Sequence, residues 1–171
     1  KKFLLESIDK TKKNAFFKSG QLYVHELIDK IQTYHPTMAH KSMCDFGCGV
    51  GRLTLPFADY FDDVVGVDVS QEMLTEGEKA AFDAGKKNIR WVPSDDDLSQ
   101  LDGPFNLVHS YIVLQHIPVK RGLRLIQLLL QKVTPDGIIA IHIVYSNEEK
   151  QFLQLMKRIP LLSVTSMNAG W

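Results

Sequence analysis

Cysteine is scarce in this chain of 171 residues: Cys44 and Cys48 are the only two, with three residues between them. No second Cys or His pair at ligand spacing follows them, which argues against a closed zinc site, and two thiols make no disulfide framework. Both are expected to pack, at a strand end where small side chains fit. With no disulfide framework and no secretory signal, the expected compartment is the cytoplasm. The chain also lacks any run approaching the roughly 18 apolar residues that span a bilayer. Neither sign of charge is in excess, since Lys plus Arg and Asp plus Glu number 20 each. The basic surplus of a nucleic-acid binder is therefore missing. Internal repeats, low-complexity tracts and linkers are absent as well. What remains is 44% hydrophobic and 23% charged, the balance of one globular domain with a real core.

Periodicity gives the organisation. From Phe3 to Tyr34 the pattern is helical, with Leu22, Val24, Leu27, Ile28 and Ile31 at three- and four-residue steps. Gly20 predicts a break near Ser19, and the helix should end before His35-Pro36. We read residues 1–34 as an N-terminal helical segment packed on a core formed by 35–171. Within the core, Ser42–Phe46, Val64–Val69, Ile89–Val92, Phe105–Ser110 and Ile138–Val144 read as strands. Helices are expected at Arg52–Phe61, after Ser70, at Val119–Val133 and at Asn147–Arg158, with a turn at residues 134–137. The strands are continuously apolar and alternate with helices, which is the signature of a parallel sheet covered on both faces. The expected fold class is a three-layer α/β/α, doubly wound and mostly parallel sheet.

In such a sheet, ligands bind beyond the carboxyl ends of the strands. The loop after the first strand is Asp45-Phe46-Gly47-Cys48-Gly49-Val50-Gly51-Arg52. Its glycines let a ligand approach the backbone, and the following helix offers free N–H groups. A dinucleotide fingerprint beginning at Gly47 would need its third glycine at position 52, which is Arg. The carboxylate of Asp45 would repel a pyrophosphate and attract an ammonium. Next, Asp68 closes the second strand, where a carboxylate can accept from a ribose diol; the bland alternative is an Asp at a helix start. After the third strand come Asp95, Asp96 and Asp97, adjacent carboxylates that point in different directions and so poorly suit one metal ion.

The pattern Asp-x-Gly-x-Gly-x-Gly resembles the first motif of the Rossmann-like, class I S-adenosylmethionine-dependent methyltransferases, of the small-molecule type. The stretch Val67-Asp68-Val69-Ser70-Gln71-Glu72-Met73-Leu74 looks like that family's second motif. Residues 105–118 and 133–143 resemble its later segments, so the likeness runs from about Phe16 to Tyr145. It implies S-adenosylmethionine as cofactor, leaving as S-adenosylhomocysteine, and methyl transfer to an acceptor expected to be a small molecule. Implied cofactor residues are Asp45, Phe46, Gly47, Gly49, Gly51, Asp68, Val69 and Met73, with Asp95 ahead of Asp96 for the adenine amino group. Asp97 reads as a helix cap, and for Met73 a place in the core below the adenine is favoured over contact with it. His109, Ser110 and Tyr111 should sit at the strand end facing the methyl group, although for His109 the favoured expectation is a ring pointing into the sheet. Tyr111 or His116 is the candidate general base, with a packed or capping histidine as the alternative for His116. No metal is implied.

Two features narrow or limit this expectation. No Asn/Asp-Pro-Pro-aromatic segment follows the fourth strand, which disfavours base-flipping amine methylation. Phe16 and Phe17, just before Gly20, suggest an aromatic lid on a glycine hinge. The chain begins at Lys1 rather than Met, and residues after Arg158 leave room for one short strand. The family's C-terminal antiparallel hairpin is thus expected to be lacking, and a longer chain, a partner or a homodimer would complete the sheet edge. The rival readings are a non-catalytic adenosyl-binding module and a nicotinamide-dependent oxidoreductase.

Overall fold

Short apolar segments set the middle layer of this protein, and the computed structural model describes residues 9–143 of it. Five strands form a parallel sheet in the order β3-β2-β1-β4-β5: β1 Ser42–Phe46, β2 Asp63–Asp68, β3 Ile89–Pro93, β4 Phe105–Ser110 and β5 Val133–Ile141. β1 is central and buried over four of its five positions, as expected of a strand covered on both faces. The order reverses between β1 and β4, which opens a crevice at their carboxyl ends.

Helices α1 (Lys10–Tyr34), α2 (Thr54–Phe57), α3 (Gln71–Asp83) and α4 (Val119–Leu130) supply the outer layers. One core joins Val24, Ile28 and Ile31 of α1, and Phe57 and Phe61, to Met43, Val64 and Leu107 on one pleat of the sheet. The alternate pleat carries Cys44, Val65, Val67 and Val108, which meet Leu125 and Leu129 of α4. α3 begins where the sequence places its cap, with the Ser70 hydroxyl accepting from the Met73 N–H at 3.3 Å. No helix of the described residues is long and apolar enough to cross a membrane.

Three expectations are corrected. Gly20 does not break the N-terminal helix; it lies buried inside α1, which starts at Lys10 with the Asp9 carboxylate accepting from Thr11 N–H at 2.8 Å. The missing side chain serves close approach instead, because a Cβ on Gly20 would stand 2.2 Å from the Arg52 carbonyl oxygen. Nor does a regular helix run from Arg52 to Phe61. Regular α-helix is confined to Thr54–Phe57: Pro56 has no N–H to give back to Arg52, and after Phe57 the chain tightens into three-residue steps, Asp59 N–H to the Pro56 carbonyl at 3.1 Å and Tyr60 N–H to the Phe57 carbonyl at 2.9 Å. Finally, α4 stops at Leu130 and Val133 already pairs with Phe105, so residues 134–137 bulge out opposite Asn106 before Ile138 rejoins Leu107. The helix expected at Asn147–Arg158 and the missing C-terminal hairpin lie outside the described residues.

Gly20→Ala tests the close approach. In an unconstrained helix that change stabilises by about 1 kcal/mol. Here the contact with Arg52 backbone should reverse the sign, costing about 1–3 kcal/mol through overpacking. A lower urea midpoint at unchanged slope is the expected result, and a higher one contradicts it.

Candidate active site

The turn after β1 is pinned before it reaches the ligand crevice. The N–H groups of Gly47 and Cys48 both donate to the Val67 carbonyl of β2, at 2.7 and 3.0 Å. Gly47, Gly49 and Gly51 all have positive φ, of 77°, 55° and 82°. Their surroundings differ. A Cβ on Gly47 would strike Val113 at 2.2 Å, whereas one on Gly49 would meet nothing within 4 Å. Gly49 borders the cavity that this turn forms with Asp45, Arg52, Leu53, Met73, Tyr111 and Phe16 from α1. Its open side is a cradle that any side chain would fill.

Beneath the turn sits a buried polar chain. The strand register sets Asp45 of β1 directly beside His109 of β4. Asp45 is 2% exposed and His109 fully buried. The Thr54 hydroxyl donates to Asp45 Oδ2 at 2.6 Å, and His109 Nδ1 donates to Asp45 Oδ1 at 2.8 Å. A carboxylate only accepts, so the proton is on Nδ1; His109 Nε2 then meets the Tyr23 hydroxyl of α1 at 3.1 Å. Burial, followed by the nearby Tyr111 and Asp45, pushes the Tyr23 phenol well above its usual pKa, which keeps it a neutral donor. Burial likewise pushes both thiols up, with the Asp45 charge adding to the effect on Cys44 and Cys48.

The remaining expected residues divide. Asp68 closes β2 as anticipated and ties the turn to it, its carboxylate accepting from Gly49 N–H at 2.8 Å and Ser70 N–H at 2.9 Å. Met73 and Tyr111 reach the cavity. Phe46 is buried in the core on the α4 side of the sheet, and Val69 is 77% exposed; neither lines the cavity. His109 does not line it either, because its ring points into the sheet face under α1 and α2, edge-on to Phe57 at 5.0 Å. His116 is exposed on a short 3₁₀ turn, Leu114–His116, away from the lining. Asp95 is occupied by its own turn: it accepts from Asp97 N–H at 3.1 Å, from Ser99 N–H at 2.9 Å and from the Ser99 hydroxyl. Those bonds, the Ser99 hydroxyl first, hold its carboxyl below the usual range. Asp96 and Asp97 pair with Arg121 and Arg124 of α4. Among the described residues no group of His, Cys, Asp and Glu is placed to hold a metal ion.

Sequence reasoning missed Thr54 and gave Arg52 only a negative role. Thr54 carried a faint signal, as a hydroxyl at a helix start otherwise surrounded by Leu53, Leu55 and Phe57. The pairing of Asp45 with His109 carried none, because register between strands 64 residues apart is a tertiary property.

Known proteins resemble this chain in sequence and in fold. Residues 43–137 match the methyltransferase domain family, and the chain belongs to it. A trans-aconitate 2-methyltransferase from Deinococcus radiodurans is 29% identical over 115 residues, covering 66% of this chain and 42% of that protein. A magnesium-protoporphyrin O-methyltransferase from Synechocystis is 34% identical over 80 residues, covering 47% of this chain and 35% of that protein. The chain therefore spans less than half the length of either relative. In fold it is similar to an amino pentose methyltransferase from Micromonospora echinaspora solved with S-adenosylmethionine bound. That similarity has a TM-score of 0.68 at 17% identity, over 86% of this chain and 61% of that one.

Two measurements check the site as described. His109→Leu leaves a buried carboxylate short of a donor and should destabilise by about 1–3 kcal/mol, towards the upper end because the acceptor is charged. Native protein at pH 8 should resist alkylation by iodoacetamide at both cysteines, because raised thiol pKa values leave little thiolate; rapid labelling of Cys48 would contradict the assigned burial.

Proposed function

We propose that this chain binds S-adenosylmethionine at the glycine turn and directs its methyl group to a small-molecule acceptor. The observation that carries the reading is the open side of Gly49, set between the carboxylates of Asp45 and Asp68 at the ends of adjacent strands. These groups suit an adenosyl amino acid. Asp45, oriented by Thr54 and His109, attracts an ammonium without having to reorganise. Asp68 keeps lone pairs for ribose hydroxyls, and Gly49 lets them come close to the backbone. Leu53 and Met73 supply apolar walls. For the adenine amino group we favour Asp96 over Asp95, since Asp96 has to leave only an exposed arginine while Asp95 accepts three bonds within its own turn.

When bound, the cofactor's sulfonium supplies a methyl group that is already electrophilic. The protein's share of the catalysis is then positioning and exclusion of water. Phe16 lines the cavity from α1, and we assign α1 the role of a lid seated over the ligand. Tyr111, whose hydroxyl belongs to a residue at the cavity wall, is the candidate to take or relay the acceptor's proton; His116 would have to act from outside the described cavity. The relatives named for trans-aconitate and magnesium-protoporphyrin support a small-molecule acceptor.

Calorimetry with S-adenosylhomocysteine and with NAD tests the reading. Binding of the first and not the second is expected, and the reverse overturns it. Asp68→Ala should weaken S-adenosylhomocysteine by about 1.5–3 kcal/mol, the range for a hydrogen bond to a charged group. Phe16→Ala should weaken it less and leave the unfolding midpoint nearly unchanged.

A further inference from the structure

Four arginines fall within the described residues, and three have carboxylate partners. Arg90 pairs with Asp63 at 2.9 Å, Arg121 with Asp96 and Arg124 with Asp97. Arg52, the one that lines the cavity, has no carboxylate at ion-pair distance among the described residues. Its guanidinium is nevertheless held in place. The carbon lies 5.5 Å from the Phe16 ring centroid and 5.4 Å from that of Tyr111, and Nη1 donates to the Ser19 hydroxyl at 3.3 Å. A ring face attracts the cation by its charge but offers no acceptor oxygen to the five N–H donors of a guanidinium. Ser19 uses one of them. A positioned fork with one donor engaged among the described residues matches the two oxygens of a carboxylate. Asp45 lines the same cavity, but its two oxygens are already engaged by Thr54 and His109.

We propose that Arg52 binds a carboxylate of the methyl acceptor, so that the acceptor is a small organic acid. The proposal rests on the functional reading above. Place in the sheet favours the acceptor as the source of that carboxylate. Asp68, assigned to the ribose, ends β2 on one side of β1, whereas Tyr111 follows β4 on the other side. The Arg52 guanidinium lies over the Tyr111 ring and so stands on the β4 side. The amino-acid end of the cofactor also carries a carboxylate, and the experiment keeps the two sources apart.

The full chain is compared with Arg52→Gln and Arg52→Lys. Calorimetry with S-adenosylhomocysteine, and with methylthioadenosine, which lacks the amino-acid end, reads the cofactor site. Transfer from labelled S-adenosylmethionine to a panel of mono-, di- and tricarboxylic acids and their neutral amides reads the acceptor site. The proposal expects the wild-type chain to methylate acids in preference to amides. In Arg52→Gln, KM for acids should rise about ten- to a hundredfold, the loss of a charge-assisted bond, while S-adenosylhomocysteine affinity stays within about twofold. Arg52→Lys, which keeps the charge without the fork, should fall between. Absence of any preference for acids overturns the proposal. So does a Gln variant that weakens S-adenosylhomocysteine but not methylthioadenosine, because Arg52 would then hold the cofactor. A wild-type chain that binds no S-adenosylhomocysteine overturns the functional reading itself, and this inference with it.

Discussion

A carboxylate buried at the end of the central strand constrains much of this molecule. Asp45 is 2% exposed, and an ion so placed is strongly destabilising unless its oxygens are satisfied. Thr54 and His109 satisfy it, and each does so only if a different part of the fold is correct. Thr54 reaches Oδ2 because the glycine turn brings the start of α2 back over the strand end. His109 reaches Oδ1 because β4 lies beside β1 in one register; a slip by one residue would put its ring on the opposite face. The pairing is thus a check on turn geometry and on sheet register together.

The same chain of contacts reaches α1. Tyr23 meets the far nitrogen of His109, and along the same helix Gly20 lies against the Arg52 backbone while Ser19 and Phe16 meet its side chain. Positions 16, 19, 20 and 23 share one helical face by their three- and four-residue spacing. That face contacts the glycine turn from above and the histidine beneath it. Ordering of the cavity and docking of α1 are therefore coupled, so ligand contacts that favour one also favour the other.

The strands and their order of use were largely legible, because each is a short apolar run bounded by turn residues. Ser42–Phe46 and Phe105–Ser110 are found where the pattern places them. The glycine turn was legible for the same local reason. Errors came where one residue type serves two physical ends. Gly20 reads locally as a breaker but functions as a gap between a helix and a loop, and nothing nearby in sequence records Arg52. Gly66 and Gly77 are similar: a Cβ there would come 2.9 and 2.6 Å from the Trp91 ring, which rests over both. The aspartates after β3 were ambiguous for a different reason. Three adjacent carboxylates look alike in one dimension, and only the positions of Ser99, Arg121 and Arg124 distinguish them.

Asp45 and Arg52 line one cavity seven residues apart, and their treatment by the fold is opposite. The anion has hydrogen bonds to both oxygens, so its orientation is fixed before any ligand arrives and its charge is what it offers. The cation lies over the rings of Phe16 and Tyr111, and among the described residues only the Ser19 hydroxyl takes one of its donors. A group saturated by the protein can steer a ligand by charge, whereas a group left unsaturated selects a ligand by supplying bonds it cannot otherwise complete. On the proposed assignments, electrostatic orientation near the glycine turn and hydrogen-bond selection on the β4 side would thus come from residues that the turn itself brings together. In the proposed reading, such a division would let one small cavity hold a common cofactor while discriminating among acceptors, because the discriminating group could change without disturbing the buried carboxylate.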